Sequence, residues 1–249
     1  MKKILAIIPA RYASTRFPGK PLADIGGKSM IQRVYEQVQK AAHIDQIAVA
    51  TDHQEIYDHV LAFGGNACFT SENHPTGTDR CYEALTLQNE KFDYVINIQG
   101  DEPFIQPGQM DQLTSLLDGD TAIATLVKKI ETEEELNNPG EVKVVVNKNH
   151  FALYFSRAVI PHLRNVPREN WLRQFNYYKH IGLYAFRSDV LKEITTLPVS
   201  SLERAESLEQ LRWLENGYGI AVAETHVESI CIDTPEDIFR ALEYLKHTV

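Results

Sequence analysis

Three cations fall within ten positions of one another: Arg11, Arg16 and Lys20, with Ser14, Thr15 and Gly19 interleaved. Held on one loop they repel each other unless something negative sits among them, and a triphosphate would suit. Pro9, Pro18 and Pro21 stiffen the loop, so its cations need little ordering when an anion arrives. Lysine offers a mobile point charge that can follow a leaving pyrophosphate, whereas arginine clamps a pair of oxygens more rigidly. The spacing is not a Walker loop: Gly19-Lys20-Pro21 lacks both the upstream glycine and the hydroxyl residue after lysine. No GxGxxG occurs here either, so nothing supports a nicotinamide cofactor. Opposite charge is supplied by Asp101, in QGDEP, and Asp233, in IDTPEDI. Both are expected directly after strands, with turn or helix-start residues following. Mg²⁺ usually takes one or two carboxylates plus phosphate oxygens and water, so this pair is enough. Neutralised phosphates, a metal and a positioned nucleophile are what nucleotidyl transfer requires.

These residues need a scaffold, and the chain reads as one. Residues 4–8 are a short apolar run expected to form a buried strand ahead of the cationic loop. Ser29 is placed to cap a helix with Ile31, Val34, Val38 and Ala42 on one face. Residues 47–51 read as a second strand, Ile56, Val60 and Phe63 as the stripe of a helix closed by Gly64-Gly65, and residues 67–70 as a short strand. This alternation predicts parallel strands with right-handed crossovers. HPTGTDR, residues 74–80, is a turn into a helix carrying Cys81 and Leu85; Gly77 would let a flat ring approach the backbone. Residues 94–98 form a strand that delivers Asp101 to its carboxyl end, where open α/β sheets bind ligands. A helix is expected over 107–117, a strand over 121–130 and an acidic loop over 131–141. Strands at 142–146, 153–157 and 181–186 lack clean crossover helices, which predicts a mixed or antiparallel portion. Residues 164–174 carry no interpretable signal. Later come helices over 188–197 and around Leu208, Leu211 and Leu214, strands at 220–223 and 229–232, and a helix started by Thr234-Pro235-Glu236-Asp237.

The chain has 249 residues, enough for one large α/β domain. A net charge of −9 argues against a general nucleic-acid binder, which needs a basic face. Cys68, Cys81 and Cys231 are odd in number and lack CxxC spacing, so they read as buried thiols in a reducing compartment. No apolar run reaches the length of a membrane span, and the start lacks a cleavage signal. A cytoplasmic protein without membrane insertion is expected.

PARYASTRFPGKPL resembles the signature loop of the nucleotide-sugar pyrophosphorylase superfamily, in the form carried by the CMP-KDO synthetases, the 3-deoxy-manno-octulosonate (KDO) cytidylyltransferases. HPTGTDR, QGDEP, ALYFSRA, KHIGLYAF, SLEQLR and IDTPEDI follow in the family's order, so the resemblance runs from about residue 4 to 242, except over 164–174. It implies a Rossmann-like, mostly parallel sheet flanked by helices, of the nucleotide-diphospho-sugar transferase type, with a mixed dimerisation portion. The expected parts of this single nucleotidyltransferase domain are residues 1–130 for the nucleotide, 137–190 for acceptor and dimer contacts, and 200–249 as closing elements.

The resemblance further implies a role for each site residue. Arg11, Arg16, Lys20, Asp101 and Asp233 would serve catalysis, with Mg²⁺ held by the two aspartates. Pro9, Ala10, Ser14, Gly77, Arg80 and Gln99 would bind CTP. Arg157, His180, Tyr184, Glu209 and Gln210 would bind the sugar acid; by residue type Arg157 suits a carboxylate, and Glu209 and Gln210 suit hydroxyls. Taken alone, His180 is an ordinary structural histidine, and Glu209 and Gln210 are a solvated helix face. The implied product is CMP-KDO for lipopolysaccharide biosynthesis, made by a homodimer. The alternatives are a cytidylyltransferase for 8-amino-KDO or a nine-carbon sialic-type acid, and a nucleotide-binding protein without catalysis.

Overall fold

The apolar run at the N-terminus becomes a strand because nearly every side chain in it is covered: Leu5, Ala6, Ile7 and Ile8 have no exposed surface. The computed structural model describes residues 2–13, 17–227 and 230–248. In chain order the elements are β1 (Ile4–Ala10), α1 (Met30–Val38), β2 (Gln46–Thr51), α2 (Gln54–Ala62), β3 (Ala67–Phe69), α3 (Gly77–Thr86), β4 (Tyr94–Asn97) and α4 (Pro107–Thr114). There follow β5 (Ile123–Lys129), α5 (Glu133–Asn137), β6 (Lys143–Val146), β7 (Ala152–Ser156), α6 (Trp171–Gln174), β8 (Tyr178–Arg187) and α7 (Ser188–Ile194). The chain ends with α8 (Ser201–Glu206), α9 (Gln210–Glu215), β9 (Ile220–Glu224) and α10 (Asp237–Thr248). It divides into two compact units, residues 1–111 with 229–249, and residues 112–228.

In the first unit β1 lies between β2 and β4, and β3 adds to β2, all parallel. The strand–helix rhythm of the sequence produces this arrangement, with crossover helices burying their apolar stripes on the strands. Ser29 caps α1 by accepting from the Gln32 N–H. Ala42 lies beyond the helix and is exposed, so it is not part of the stripe. Residues 230–232 are not a strand; the segment is held instead by the Ile232 N–H donating to the Asp101 carbonyl at 2.9 Å, and by Ile232 packing with Ile25, Met30, Phe104 and Ala241. The last helix begins at Asp237, whose carboxylate accepts from the N–H groups of Asp233 and Thr234, so the acid at 237 closes the turn that Thr234 was expected to cap.

In the second unit β5 pairs antiparallel with β8 and parallel with β9, while β6 pairs antiparallel with both β7 and β8. This is the mixed portion the sequence predicts. The acidic stretch expected as a loop contains α5, started by a reciprocal capping box between Thr132 and Glu135. Residues 164–174, silent in sequence, hold a 3-10 turn and α6, whose Trp171 packs with Ile130, Leu136 and Tyr177 as a small satellite core. The helix around Leu211 is shorter than expected, and Trp213 rather than Leu214 completes its buried face, because a separate capped helix, α8, precedes it.

Candidate active site

Lys20 follows Gly19, whose N–H donates to the Tyr12 carbonyl at 3.0 Å and so closes the cationic loop at its base. From there the ammonium donates to Asp101 at 2.7 Å and to the Ile232 carbonyl at 3.0 Å, and lies 3.6 Å from Asp233. Three segments distant in sequence thus meet at one point: the loop after β1, the turn after β4 and the turn before α10. Oxygen atoms of Asp101 and Asp233 and the Cys231 sulfur lie within 4.8 Å of one another. Two hard oxygen donors suit a small divalent cation, so the donor set fits, with Lys20 as a resident cation on the same carboxylates. Cys231 is exposed, and Cys68 is only partly covered, so of the three expected buried thiols Cys81 alone is fully enclosed.

Of the three cations of the loop, Arg11 and Lys20 lie among the described residues, and both have partners. Lys20 is compensated by carboxylates, and Arg11 donates to the His74 carbonyl at 2.5 Å. Burial and the neighbouring Arg80 lower the Arg11 pKa, with Asp52 and Asp79 opposing. Arg16 and Ser14 lie outside the described residues.

Around Arg11 the wall is built from the start of α3 and the ends of β1 and β4. Thr76 caps α3 in a reciprocal box with Asp79, which fixes Gly77 as the first helical residue. A Cβ on Gly77 would lie 3.8 Å from the Pro9 ring, an ordinary contact. Gly100 is more constrained: a Cβ there would meet the Pro9 carbonyl at 2.8 Å, so only glycine lets the QGD turn close onto β1. Sequence reasoning passed over Gly100, although a glycine directly before the acid was its signal. Gln99, beside it, is partly exposed, and its carbonyl accepts from the Glu102 N–H.

Arg80 corrects the sequence reading. It is fully buried, paired with Asp52 at 2.5 Å and donating to Thr70 Oγ1 at 2.6 Å. Such a guanidinium ties β2 and β3 to α3; it is not presented to a nucleotide. Asp52 also follows a strand, β2, directly, whereas Asp233 follows residues 230–232, which are not a strand.

The five residues proposed for the sugar acid lie in the second unit. His180 and Tyr184 are both on β8, with ring centroids 4.9 Å apart. Thr125 Oγ1 lies 3.0 Å from His180 Nε2, and the Phe155 ring packs edge-on. Burial of the ring pushes the His180 pKa down to about 3, so it is neutral at pH 7 and offers hydrogen bonds without charge. Burial, then the charge of Glu209, pushes Tyr184 up and keeps its hydroxyl protonated. Glu209 pairs with Arg212 at 3.1 Å, and Gln210 is buried, so neither belongs to a solvated helix face. The Arg157 guanidinium donates to the carbonyls of Glu206 (2.9 Å), Pro139 (3.2 Å) and Ser207 (3.4 Å), and its backbone N–H donates to the Glu206 carboxylate at 2.9 Å.

A family model described as cytidylyltransferase matches residues 5–238, and the chain belongs to that family. The relatives narrow the class further. The chain is 59% identical over 249 residues to the 3-deoxy-manno-octulosonate cytidylyltransferase of Bacteroides thetaiotaomicron, covering 98% of this chain and 99% of that one. It is 57% identical over 250 residues to the protein of the same name from Parabacteroides distasonis, covering 98% and 99%. Among solved structures, a CMP:2-keto-3-deoxy-manno-octonic acid synthetase complexed with CTP matches with a TM-score of 0.92 at 41% identity, over 99% of this chain and all of that one. No helix among the described residues is long and apolar enough to cross a membrane.

Proposed function

We propose that this protein transfers a cytidylyl group from CTP to the anomeric 2-hydroxyl of KDO, giving CMP-KDO and pyrophosphate for lipopolysaccharide assembly. The observation that carries this is the meeting of Lys20, Asp101 and Asp233, within a chain that matches KDO cytidylyltransferases end to end. In the reaction the sugar hydroxyl gives up its proton, to water or to the departing pyrophosphate, as its oxygen bonds to the α-phosphorus and the bond from that phosphorus to the bridging oxygen breaks. The pyrophosphate leaves with the bridging oxygen and its electron pair. Lys20 and Arg11 supply positive charge where negative charge builds on the leaving group, and Arg16 and Ser14 join them by family resemblance. Pro9, Ala10, Gly77 and Gln99 border the space for the base, where backbone groups can pair the cytosine edge and a purine would be too large. Arg80 acts from behind this wall by holding it in place.

Asp101 and Asp233 would hold Mg²⁺, which when bound supplies charge neutralisation and orientation to the triphosphate. For the acceptor, Arg157 is the group of the right charge for the sugar carboxylate, while neutral His180, Tyr184, Glu209 and Gln210 suit its hydroxyls. A site built to hydrogen-bond hydroxyls rejects analogues lacking them, because its own groups are left unpaired. The protein would act as a cytoplasmic homodimer through residues 137–186.

The metal assignment is tested by Asp101→Asn and Asp233→Asn. Each is expected to abolish pyrophosphate release at ordinary Mg²⁺ while thermal unfolding stays close to that of the wild type. Full activity in either variant, after chelation and readdition of Mg²⁺, removes that aspartate from the metal site.

A further inference from the structure

Asn97 is the last residue of β4, in register with Ile7 of β1, in a strand whose other members are all apolar or aromatic. It is 6% exposed, and its Oδ1 is wholly enclosed with no hydrogen-bond partner among the described residues. Burying an amide oxygen this way opposes folding, and a strand interior would ordinarily carry an apolar residue there. The side-chain amide nitrogen lies beside the start of α3: Nδ2 would be 3.7 Å from a Cβ on Gly77, with the Pro9 ring 3.8 Å from the same point. All three groups pack together in the wall assigned above to the base, and Gly100, pressed against the Pro9 carbonyl, fixes that wall from the other side.

We propose that Asn97 is a base-reading residue whose side-chain amide hydrogen-bonds the pyrimidine of the bound nucleotide. The inference rests on the cytidylyltransferase reading and adds to it a side chain where only backbone groups had been assigned. An amide carries a donor and an acceptor side by side, and half a turn about its last torsion exchanges which one faces outward. Turned with its Oδ1 outward, the amide accepts from the exocyclic amine of cytosine, which stands beside the ring-nitrogen acceptor. Uracil reverses the donor and acceptor at two of these positions. The unsatisfied state of the amide in the free protein then has a reason: its partner arrives with the ligand.

The test is Asn97→Leu, close to the same volume and apolar, measured by calorimetric titration with CTP and with UTP in the presence of Mg²⁺. The expected result is CTP affinity weaker by about tenfold, as for loss of one hydrogen bond with some burial of the unmatched ligand edge. The preference for CTP over UTP should narrow, and the KM for the sugar acid should stay unchanged. Thermal unfolding of the ligand-free variant should be unchanged or raised, since the substitution removes a buried unpaired group. A purely structural amide would give the reverse, lowered stability with CTP binding intact. Asn97→Ser serves if the leucine variant does not fold, with the same loss of CTP affinity expected. Unchanged CTP affinity in either folded variant overturns the proposal. A wild type that binds no CTP at all overturns the donor reading and this proposal together, and is told apart because the unmodified protein itself fails.

Discussion

At Lys20 the ammonium sits between two carboxylates, so removing it has two separable consequences. The charge that follows the leaving pyrophosphate is lost, and turnover of Lys20→Ala should fall on the order of 10²-fold. Asp101 and Asp233 meanwhile lose their internal counter-charge, so Mn²⁺, used as a spectroscopic substitute for Mg²⁺, should bind the variant more tightly than the wild type. Weak turnover with tighter metal binding is the signature expected; unchanged kcat in a folded variant would remove the loop from the chemistry. At this scale the placement of Lys20, Asp101 and Asp233 was legible, because each sits in a short motif whose spacing carries its chemistry. Arg80 was not. Its partner Asp52 stands 28 positions away, and nothing local distinguishes a buried guanidinium from an exposed one at a helix start. Asn97 escaped for a related reason: within YVINI it reads as one polar residue in a strand, and only the neighbouring Gly77 and Pro9 give it a direction.

Among the elements, the capped helices were readable and partly missed. Thr132-Glu133-Glu134-Glu135 has the spacing of a capping box, as does Ser200 with Glu203, yet the density of acids suggested a loop. What makes α5 hold is a pair of buried cations that no local pattern reveals. Lys179 lies 2.9 Å from Glu135 and 3.4 Å from Glu141, and Lys143 donates to the carbonyls of Asn138 and Glu141. Burial raises the Glu135 pKa, but the Lys179 hydrogen bond and the N–H groups of Glu131 and Thr132 outweigh it and hold the carboxyl at about 2, below its ordinary 4.5. A depressed carboxyl stabilises the fold above its unfolded-state pKa and loses that contribution as pH falls through the folded value. Stability should therefore decline between about pH 4.5 and pH 2. Glu135→Gln should be less stable than wild type at pH 7 and should show a flatter pH dependence in that window. Parallel unfolding curves for the two proteins from pH 5 to pH 3 would contradict this origin. The satellite core around Trp171 was illegible because a 3-10 turn and a single helical turn are too short to show a period.

For the molecule as a whole, the parallel strands of the first unit and the mixed strands of the second follow the sequence reading closely, since buried runs and crossover helices both leave strong patterns. The return of residues 230–248 to the first unit carries Asp233 back to Asp101, the pairing expected of QGDEP and IDTPEDI. The second unit exposes apolar surface on β7 and beside it: Leu153 is 58% exposed and Phe151 39%. Among the described residues β7 pairs only with β6, and an apolar edge strand of this kind invites a partner. Light scattering should give twice the 28.3 kDa chain mass, and Leu153→Asp should shift the protein towards monomer. A monomeric wild type at working concentration would refute the homodimer.

Pyrophosphate release reports the reaction itself. The protein should be offered each nucleoside triphosphate with KDO, and CTP with KDO, 8-amino-KDO and N-acetylneuraminic acid, all with Mg²⁺. Release should be rapid with CTP and KDO, slight with the other nucleotides, and absent with the nine-carbon acid. Preference for the nine-carbon sugar, or tight CTP binding without turnover on any acceptor, would contradict the proposed reaction.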